Sequence, residues 1–296
     1  MLPTRSPPTS RCAGLRSIWP GGPDGCPKPT GRRSPPSWIA GSAFDERAMD
    51  LIRTAAELQA ATDGWRKAGD SVGLVPTMGA LHAGHRSLIQ RARSERDRVV
   101  VSIFVNPLQF GPGEDLDTYP RDEAADIAVT ERDGVDLVWG PSVEEVYPPG
   151  VDLPAPDPGP VGQTFEGVTR QGHFEGVLKV VHRLFDLTGP SAAYFGEKDA
   201  QQLFLVRRMT AAEPELGVTI VACPTVREAS GLAVSSRNAR LAREERQQAS
   251  CLFLALTEAA EHARAGEREA QVLVALMARE IGGTTLARLD YAAVVD

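Results

Sequence analysis

The amino-acid sequence predicts an α/β fold in which helices cover both faces of a parallel β-sheet. Short runs rich in valine and isoleucine alternate with helical segments from Leu51 onward. Buried strands joined by helical crossovers are typical of parallel sheets. The predicted strands cover residues 72–76, 99–105, 135–139, 192–195 and 218–222. The predicted helices cover residues 54–68, 84–95, 122–132, 175–187 and 199–211, and the segment 148–163, rich in proline and glycine, is expected to be a loop.

The two ends of the chain differ from this alternating region. Residues 1–46 are rich in proline, glycine and arginine and lack an apolar period, so they are expected to form a disordered tail. An organelle-targeting helix is disfavoured there by the many prolines, and we expect natural translation to start at Met49. Residues 225–296 are expected to form a small α+β domain with helices at 243–265 and 268–281 and a strand at 288–295. This domain looks truncated, because the chain stops directly after that strand.

The composition is that of a globular protein and argues against membrane-spanning and nucleic-acid-binding proteins. The chain has 296 residues, of which 42% are apolar and 24% charged, and a formal net charge of −7. These values are ordinary for a globular protein, and the negative charge argues against a nucleic-acid partner. No apolar run approaches the roughly 18 residues of a membrane span. The four cysteines, at 12, 26, 223 and 251, lack paired metal-ligand spacing, which favours reduced thiols in the cytoplasm.

The most informative segment is residues 73–90, GLVPTMGALHAGHRSLIQ. It predicts a buried strand, a turn that contains glycine, and the start of a helix. His82 and His85 lie three residues apart at this turn, with Gly79 and Gly84 close by. Backbone amides at a helix start, together with two imidazoles, favour a phosphate site. The alternative is that these histidines are helix caps or ordinary surface residues.

Further polar clusters follow the other predicted strands. In an open parallel sheet, ligands bind beyond the carboxyl ends of the strands, so these clusters are expected to share one site. They are Asn106–Phe110, Gly196–Asp199 with Gln202, Thr225–Glu228 and Val234–Asn238.

Each residue of these clusters has a chemical and a structural interpretation. Lys198 suits phosphate oxygens, although a solvated surface lysine is the alternative. Arg237, beside two serines, suits a pyrophosphate, but a Ser-Ser-Arg sequence is also common at helix caps. Asp199 is a candidate helix cap or a ligand for a ribose hydroxyl or an amine. Gln109 and Gln202 suit a hydroxy acid, or are ordinary polar surface residues.

Taken together, these residues resemble the pantothenate synthetase (pantoate–β-alanine ligase) family of the His-x-Gly-His nucleotidyltransferase superfamily. The resemblance extends from about Leu51 to Asp296. The matching segments are PTMGALHAGH, VVVSIFVNPLQF, DLDTYPR, GHFEGVLKVVHRLF, YFGEKDAQQL, TVRE and GLAVSSRNARL. His-x-Gly-His alone indicates only the superfamily, whereas the other motifs together are far more specific.

The resemblance implies a two-step reaction, in which ATP activates pantoate as an adenylate and β-alanine then displaces AMP. It implies that residues 47–224 form a Rossmann-like, nucleotide-binding catalytic domain, that residues 225–296 form a lid, and that the protein is a homodimer. The implied catalytic residues are His82, His85, Lys198 and Arg237, with His85 as the proton donor. The implied ATP-binding positions are Met78, Gly79, Ala80, Leu81, His82, Ala83, Gly84, His85, Gly196, Glu197, Lys198, Asp199, Val226, Val234, Ser235, Ser236 and Arg237. Gln109 and Gln202 are implied to bind substrate, and Asp126 is the implied ligand of Mg²⁺.

Two other hypotheses remain open at this point. An adenylyltransferase that moves AMP to another substrate, such as a phosphate, would also need the histidines and a cationic loop. A non-catalytic nucleotide-binding remnant would keep the fold without the turnover. The presence of all the histidine and cationic positions favours an active enzyme.

Overall fold

The computed structural model describes residues 49–295, so the predicted tail and Asp296 lie outside the described residues. The strands are β1 (Asp50–Ile52), β2 (Val72–Thr77), β3 (Arg98–Ile103), β4 (Leu137–Trp139), β5 (Ala192–Gly196) and β6 (Thr219–Cys223). The helices are α1 (Ala55–Ala68), α2 (Ala83–Glu95), α3 (Glu123–Arg132), α4 (Val143–Val146), α5 (Glu166–Thr169), α6 (His173–Thr188), α7 (Ala200–Ala212), α8 (Arg243–Gln248), α9 (Cys251–Arg264) and α10 (Ala270–Gly282). Short 3₁₀ turns include Pro107–Gln109, Glu197–Asp199 and Ser236–Arg240.

The six strands form one parallel sheet in the order β1-β4-β3-β2-β5-β6, which confirms the predicted α/β fold. From β2 the chain continues to β3 on one side, whereas β5 pairs with the other side of β2. The chain therefore adds strands on one side of β2 first and on the other side from β5 onward. Such a switch point leaves a crevice beyond the carboxyl ends of the two strands.

Hydrophobic residues on both faces of the sheet hold the helices in place. Leu74 of β2 belongs to a buried cluster with Leu58 of α1 and Phe185 of α6. Val75, the next residue, belongs to a second cluster with Ile89 of α2. Successive side chains of a strand point to opposite faces, so one strand anchors two helical layers. Burial of this core stabilises the ends of β2 and β5, where the polar motifs begin.

The C-terminal helices have a hydrophobic cluster of their own, formed by residues such as Ala255 of α9 and Met277 of α10. The predicted boundary at residues 224/225 agrees with this cluster and stays a prediction. The predicted strand at 288–295 is wrong, because these residues form no strand. A strand needs a neighbouring strand to accept its backbone hydrogen bonds, and residues 288–295 pair with none of the described strands.

The structure also differs from the predicted elements in one helix and in one short strand. The helix predicted at 243–265 is two helices, because the chain bends at Ala249 and Ser250; there the amide of Phe253 donates to the carbonyl of Ser250 over 3.0 Å, three residues back instead of four. Strand β1 was not predicted, since three residues are too few to show a period. Within residues 49–295, none of the helices combines the length and apolarity needed to cross a bilayer.

Candidate active site

A cavity of about 240 Å³ opens at the switch point between β2 and β5. Its walls come from the turn after β2, the 3₁₀ turn after β3, the turn after β5 and the loop 224–237 after β6. Most of the predicted site residues line it, namely Met78, His82, Gly84, His85, Gln109, Gly196, Lys198, Asp199, Gln202, Val226, Val234, Ser235, Ser236 and Arg237. The remaining predicted residues, Gly79, Ala80, Leu81, Ala83, Glu197 and Asp126, are not among its lining residues.

The turn after β2 is sharply bent and tied back to the protein. Gly79 and Ala80 have φ angles of 81° and 49°, a left-handed conformation that is unusual for alanine. The amide of Gly79 donates to the Thr77 hydroxyl over 3.2 Å. The amides of Ala80 and Leu81 donate to the carboxylate of Asp126 over 2.9 and 2.6 Å. These three amides are therefore engaged inside the protein. The prediction of a phosphate site concerns the amides at the start of α2 and stays a prediction.

His82 and His85 begin helix α2 and cap it through their side chains. The Nδ1 atom of His82 accepts the amide N–H of Gly84 over 3.1 Å, and Nδ1 of His85 accepts the amide N–H of His82 over 3.3 Å. The two rings stack with their centroids 4.0 Å apart. A backbone amide always donates, so both Nδ1 atoms are unprotonated and each neutral ring carries its hydrogen on Nε2. The capping alternative is thus true, and it leaves both Nε2–H groups to act as donors in the cavity.

The charge state of the two imidazoles follows from their surroundings. Burial, the neighbouring His82 ring and the Lys198 ammonium lower the pKa of His85 to about 3. Burial and then Lys198 lower the pKa of His82 as well. The positive end of helix α2 acts in the same direction. Both rings are therefore neutral hydrogen-bond donors at neutral pH. The predicted role of His85 as the proton donor stays a prediction.

Lys198 supplies the mobile positive charge of the cavity. It follows β5, and its ammonium lies 3.2 Å from the carboxylate of Asp199. Both side chains are well exposed, so this pair contributes little to stability. The lysine is therefore free to exchange the carboxylate for the oxygens of a ligand.

Arg237 enters the cavity from the 3₁₀ turn Ser236–Arg240 and is held by Asp115. Two nitrogens of its guanidinium donate to the two carboxylate oxygens of Asp115, each over 2.9 Å. The guanidinium also lies 5.5 Å from the centre of the Tyr119 ring. The hydrogen bond from Arg237 lowers the pKa of Asp115 to about 2, so this carboxylate stays ionised. The role of Asp115 was not predicted, although the DLDTYPR motif contains it.

Gln109 is a buried residue of the cavity lining, and its amide orientation is fixed. Asn106 donates from Nδ2 to Oε1 of Gln109 over 3.1 Å, and the hydroxyl of Tyr147 donates to Oδ1 of Asn106 over 2.9 Å. The Nε2 group of Gln109, 3.1 Å from the Met78 sulfur, is therefore its donor toward the cavity. Gln202 lines the same cavity. The structure thus brings both predicted glutamines together with the histidines, Lys198 and Arg237.

Several lining residues were not predicted. His173 bonds the carbonyl of Gln109 through Nδ1 over 2.8 Å, and Arg170 lies beside it, paired with Glu114 at 2.7 Å. Ser102 on β3 is buried, and its hydroxyl has no partner among the described residues. Ser102 lies within a valine run that indicated only a buried strand, so no local signal marked it.

The predicted metal ligand lies outside the cavity. Asp126 is buried below the turn after β2, and each of its oxygens accepts one backbone amide. Among residues 49–295 there is no cluster of three or more histidines, cysteines or acids that suits a metal ion. The position of Asp126 therefore gives no support to its predicted role in binding Mg²⁺.

Fold and cavity together define a class of enzyme. A switch-point cavity lined by two neutral imidazoles, a mobile lysine, an arginine and two glutamine amides suits transfer of a nucleotide to a small polar acid. This arrangement is that of an α/β nucleotidyltransferase with the His-x-Gly-His signature.

Comparison with known proteins specifies the family. The model of the family described as pantoate-beta-alanine ligase matches residues 50–296. Pantothenate synthetase from Roseiflexus sp. is 51% identical over 248 residues, which are 84% of this chain and 87% of that protein. The solved pantothenate synthetase of Thermus thermophilus has a TM-score of 0.77 at 46% identity, covering 84% of this chain and 87% of that one.

A further solved relative carries ligands. The pantoate-beta-alanine ligase of Francisella tularensis, complexed with beta-gamma ATP and β-alanine, has a TM-score of 0.66 at 35% identity and covers 79% of this chain and 87% of that one. The chain therefore belongs to the pantoate–β-alanine ligase family.

Proposed function

We propose that this protein joins (R)-pantoate to β-alanine at the expense of ATP, through a pantoyl-adenylate intermediate, and releases AMP and pyrophosphate. One observation carries the proposal: the donors suited to phosphate and the glutamines suited to a hydroxy acid line the same cavity. The family relationship supports the same reaction.

The first step is the attack of the pantoate carboxylate on the α-phosphorus of ATP. A carboxylate oxygen bonds to phosphorus, the bond to the bridging oxygen breaks, and its electron pair leaves with pyrophosphate. The carboxylate is already ionised at neutral pH, so the step needs alignment and charge stabilisation, not a base. We assign stabilisation of the developing charge to the Nε2–H groups of His82 and His85 and to Lys198 and Arg237.

The second step is the attack of β-alanine on the adenylate. The free amine bonds to the carbonyl carbon, the bond from that carbon to the AMP oxygen breaks, and the nitrogen releases its extra proton to solvent. We assign Gln109 and Gln202 to the pantoate hydroxyls and carboxylate, because Nε2 of Gln109 has a second hydrogen to donate besides the one directed at the Met78 sulfur. A substrate without those acceptors would leave the second Nε2 hydrogen of Gln109 unpaired.

We propose that Mg²⁺ enters together with ATP and is held mainly by the phosphate oxygens. The described residues contain no metal cluster, and the carboxylate of Asp115 is already paired with Arg237. No step of the proposal passes through a protein-bound metal. We also propose that the protein is a homodimer and that it is located in the cytoplasm.

The test is an omission assay. ATP–pyrophosphate exchange is expected to require pantoate and to proceed without β-alanine, while AMP release at steady state is expected to require both. ATP–pyrophosphate exchange at the same rate with and without pantoate would favour an adenylyltransferase that transfers AMP to another substrate. ATP binding measured by calorimetry without any turnover, at high enzyme concentration, would favour the non-catalytic alternative.

A further inference from the structure

Asp126 is an acid that the reaction does not use and that the fold places directly below the reactive turn. It lies on α3, it is only 3% exposed, and its oxygens face the segment between β2 and α2. Oδ2 accepts the amide of Ala80 over 2.9 Å and Oδ1 accepts the amide of Leu81 over 2.6 Å. Hydrogen bonds to an ionised acceptor are roughly twice as strong as neutral ones.

The turn that Asp126 holds is one that the backbone does not adopt readily. Ala80 has a φ of 49°, and a left-handed alanine costs on the order of 1 kcal/mol. Gly79 has a φ of 81°, and a Cβ atom there would lie 2.8 Å from Oδ2 of Asp126. The carboxylate and the turn therefore fit each other closely, and the two charge-assisted bonds offset the strain.

The turn leads directly into the two imidazoles. Leu81 is followed by His82, whose amide donates to Nδ1 of His85. Any movement of the turn shifts the amide that fixes the tautomer of His85, and with it the Nε2–H donor. We propose that Asp126 is a positioning residue, which holds the turn so that both imidazoles present Nε2–H to the nucleotide; its catalytic consequence rests on the proposed function.

A metal-binding role explains the surroundings of Asp126 less well. Both oxygens are engaged by amides, and none of the ion pairs among residues 49–295 includes Asp126. Burial raises the pKa of its carboxyl above the ordinary value, and the amides of Leu81 and Ala80 offset part of this rise. The negative charge is therefore supported by the turn itself.

The decisive variant is Asp126→Asn, because its amide group turns an N–H donor toward one of the two backbone donors. We expect kcat for pantoate-dependent ATP–pyrophosphate exchange to fall at least tenfold, and the Mg²⁺ concentration for half-maximal rate to stay within twofold. Asp126→Glu keeps the charge but moves the oxygens by one methylene, and it is expected to lose activity similarly. A metal ligand would tolerate glutamate better.

Asp133→Asn is the matched control. Asp133 follows the same helix and its side chain is only 4% exposed, but it pairs with the Arg86 side chain of α2 at 2.7 Å and accepts no backbone amide of the turn. Its loss is expected to lower the free energy of unfolding without a specific fall in kcat. Loss of activity in both variants in proportion to unfolding, or a change only in Mg²⁺ dependence for Asp126→Asn, would overturn the proposal.

A readout independent of turnover is the tautomeric state of the imidazoles, observed by ¹⁵N NMR at neutral pH. Both rings are expected to show Nε2–H in the natural protein and in Asp133→Asn, and at least one is expected to show mixed tautomers in Asp126→Asn and Asp126→Glu. Unchanged tautomers in both Asp126 variants would refute positioning. If the natural protein is inactive but the tautomers change in the Asp126 variants as expected, the proposed function is refuted and the positioning role of Asp126 stands.

Discussion

The neutral state of His85 leads to a prediction that separates two chemical roles. A neutral ring supplies an N–H to the phosphate, whereas a general acid gives up a proton. Glutamine places an N–H donor near the position of Nε2 but cannot donate a proton to the leaving group. We expect His85→Ala to lower the rate of adenylate formation by about 10²–10³, or roughly 2.7–4 kcal/mol, the scale of one lost donor. His85→Gln is expected to retain at least ten times the activity of His85→Ala.

The assay is pantoate-dependent ATP–pyrophosphate exchange at saturating substrates, measured between pH 6 and pH 8. Because the pKa of His85 is about 3, the ratio of the His85→Gln rate to the natural rate is expected to be independent of pH in this interval. The pH dependence that comes from the ionisation of ATP affects both rates equally and therefore cancels in their ratio. A His85→Gln variant as inactive as His85→Ala, with a ratio that changes around a pKa of 6 to 7, would show that His85 acts as a proton donor.

Three further predictions concern charge, pH and packing. Lys198→Ala is expected to lower pyrophosphate exchange by about 10²–10³ and to leave the urea midpoint unchanged, because the side chain is well exposed; a large midpoint shift would contradict this. The folded state keeps His85 neutral below its ordinary pKa of 6.5, so the unfolded chain binds the extra proton and stability falls as the pH is lowered from about 6.5 toward 3. Urea unfolding at pH 7 and pH 5 is expected to show a loss from this group of at most about 2 kcal/mol, absent in His85→Gln; equal losses in both proteins would refute it. Gly176→Ala would place a Cβ atom 2.2 Å from the Leu108 carbonyl oxygen and is expected to destabilise by about 3 kcal/mol, whereas Gly64→Ala in α1 meets nothing within 4 Å and is expected to stabilise by about 0.5–1 kcal/mol; thermal unfolding compares the two, and similar shifts would contradict the packing.

Much of the fold follows from patterns that are local in the sequence. A run such as Val99–Val101 is apolar at every position, which is the pattern of a strand covered on both faces. The polar motifs come directly after such runs, so the carboxyl-end rule for parallel sheets was enough to group them. The strand predicted at 288–295 shows the limit of this reasoning, because an apolar run becomes a strand only where a neighbouring strand accepts its hydrogen bonds.

The sequence by itself determined which polar motifs follow the strands and reach the cavity, because residue type and order along the strands are local properties. It gave no signal for Ser102, Arg170 or His173. The tertiary structure decided what those side chains do. The tautomers of His82 and His85 depend on which amides reach their Nδ1 atoms, and the orientation of Gln109 depends on Asn106 and Tyr147. The two hydrogen bonds that Asp126 accepts come from amides more than forty positions earlier in the chain. Hydrogen bonds are directional and short, so contacts between distant segments become visible only when the folded chain brings them together.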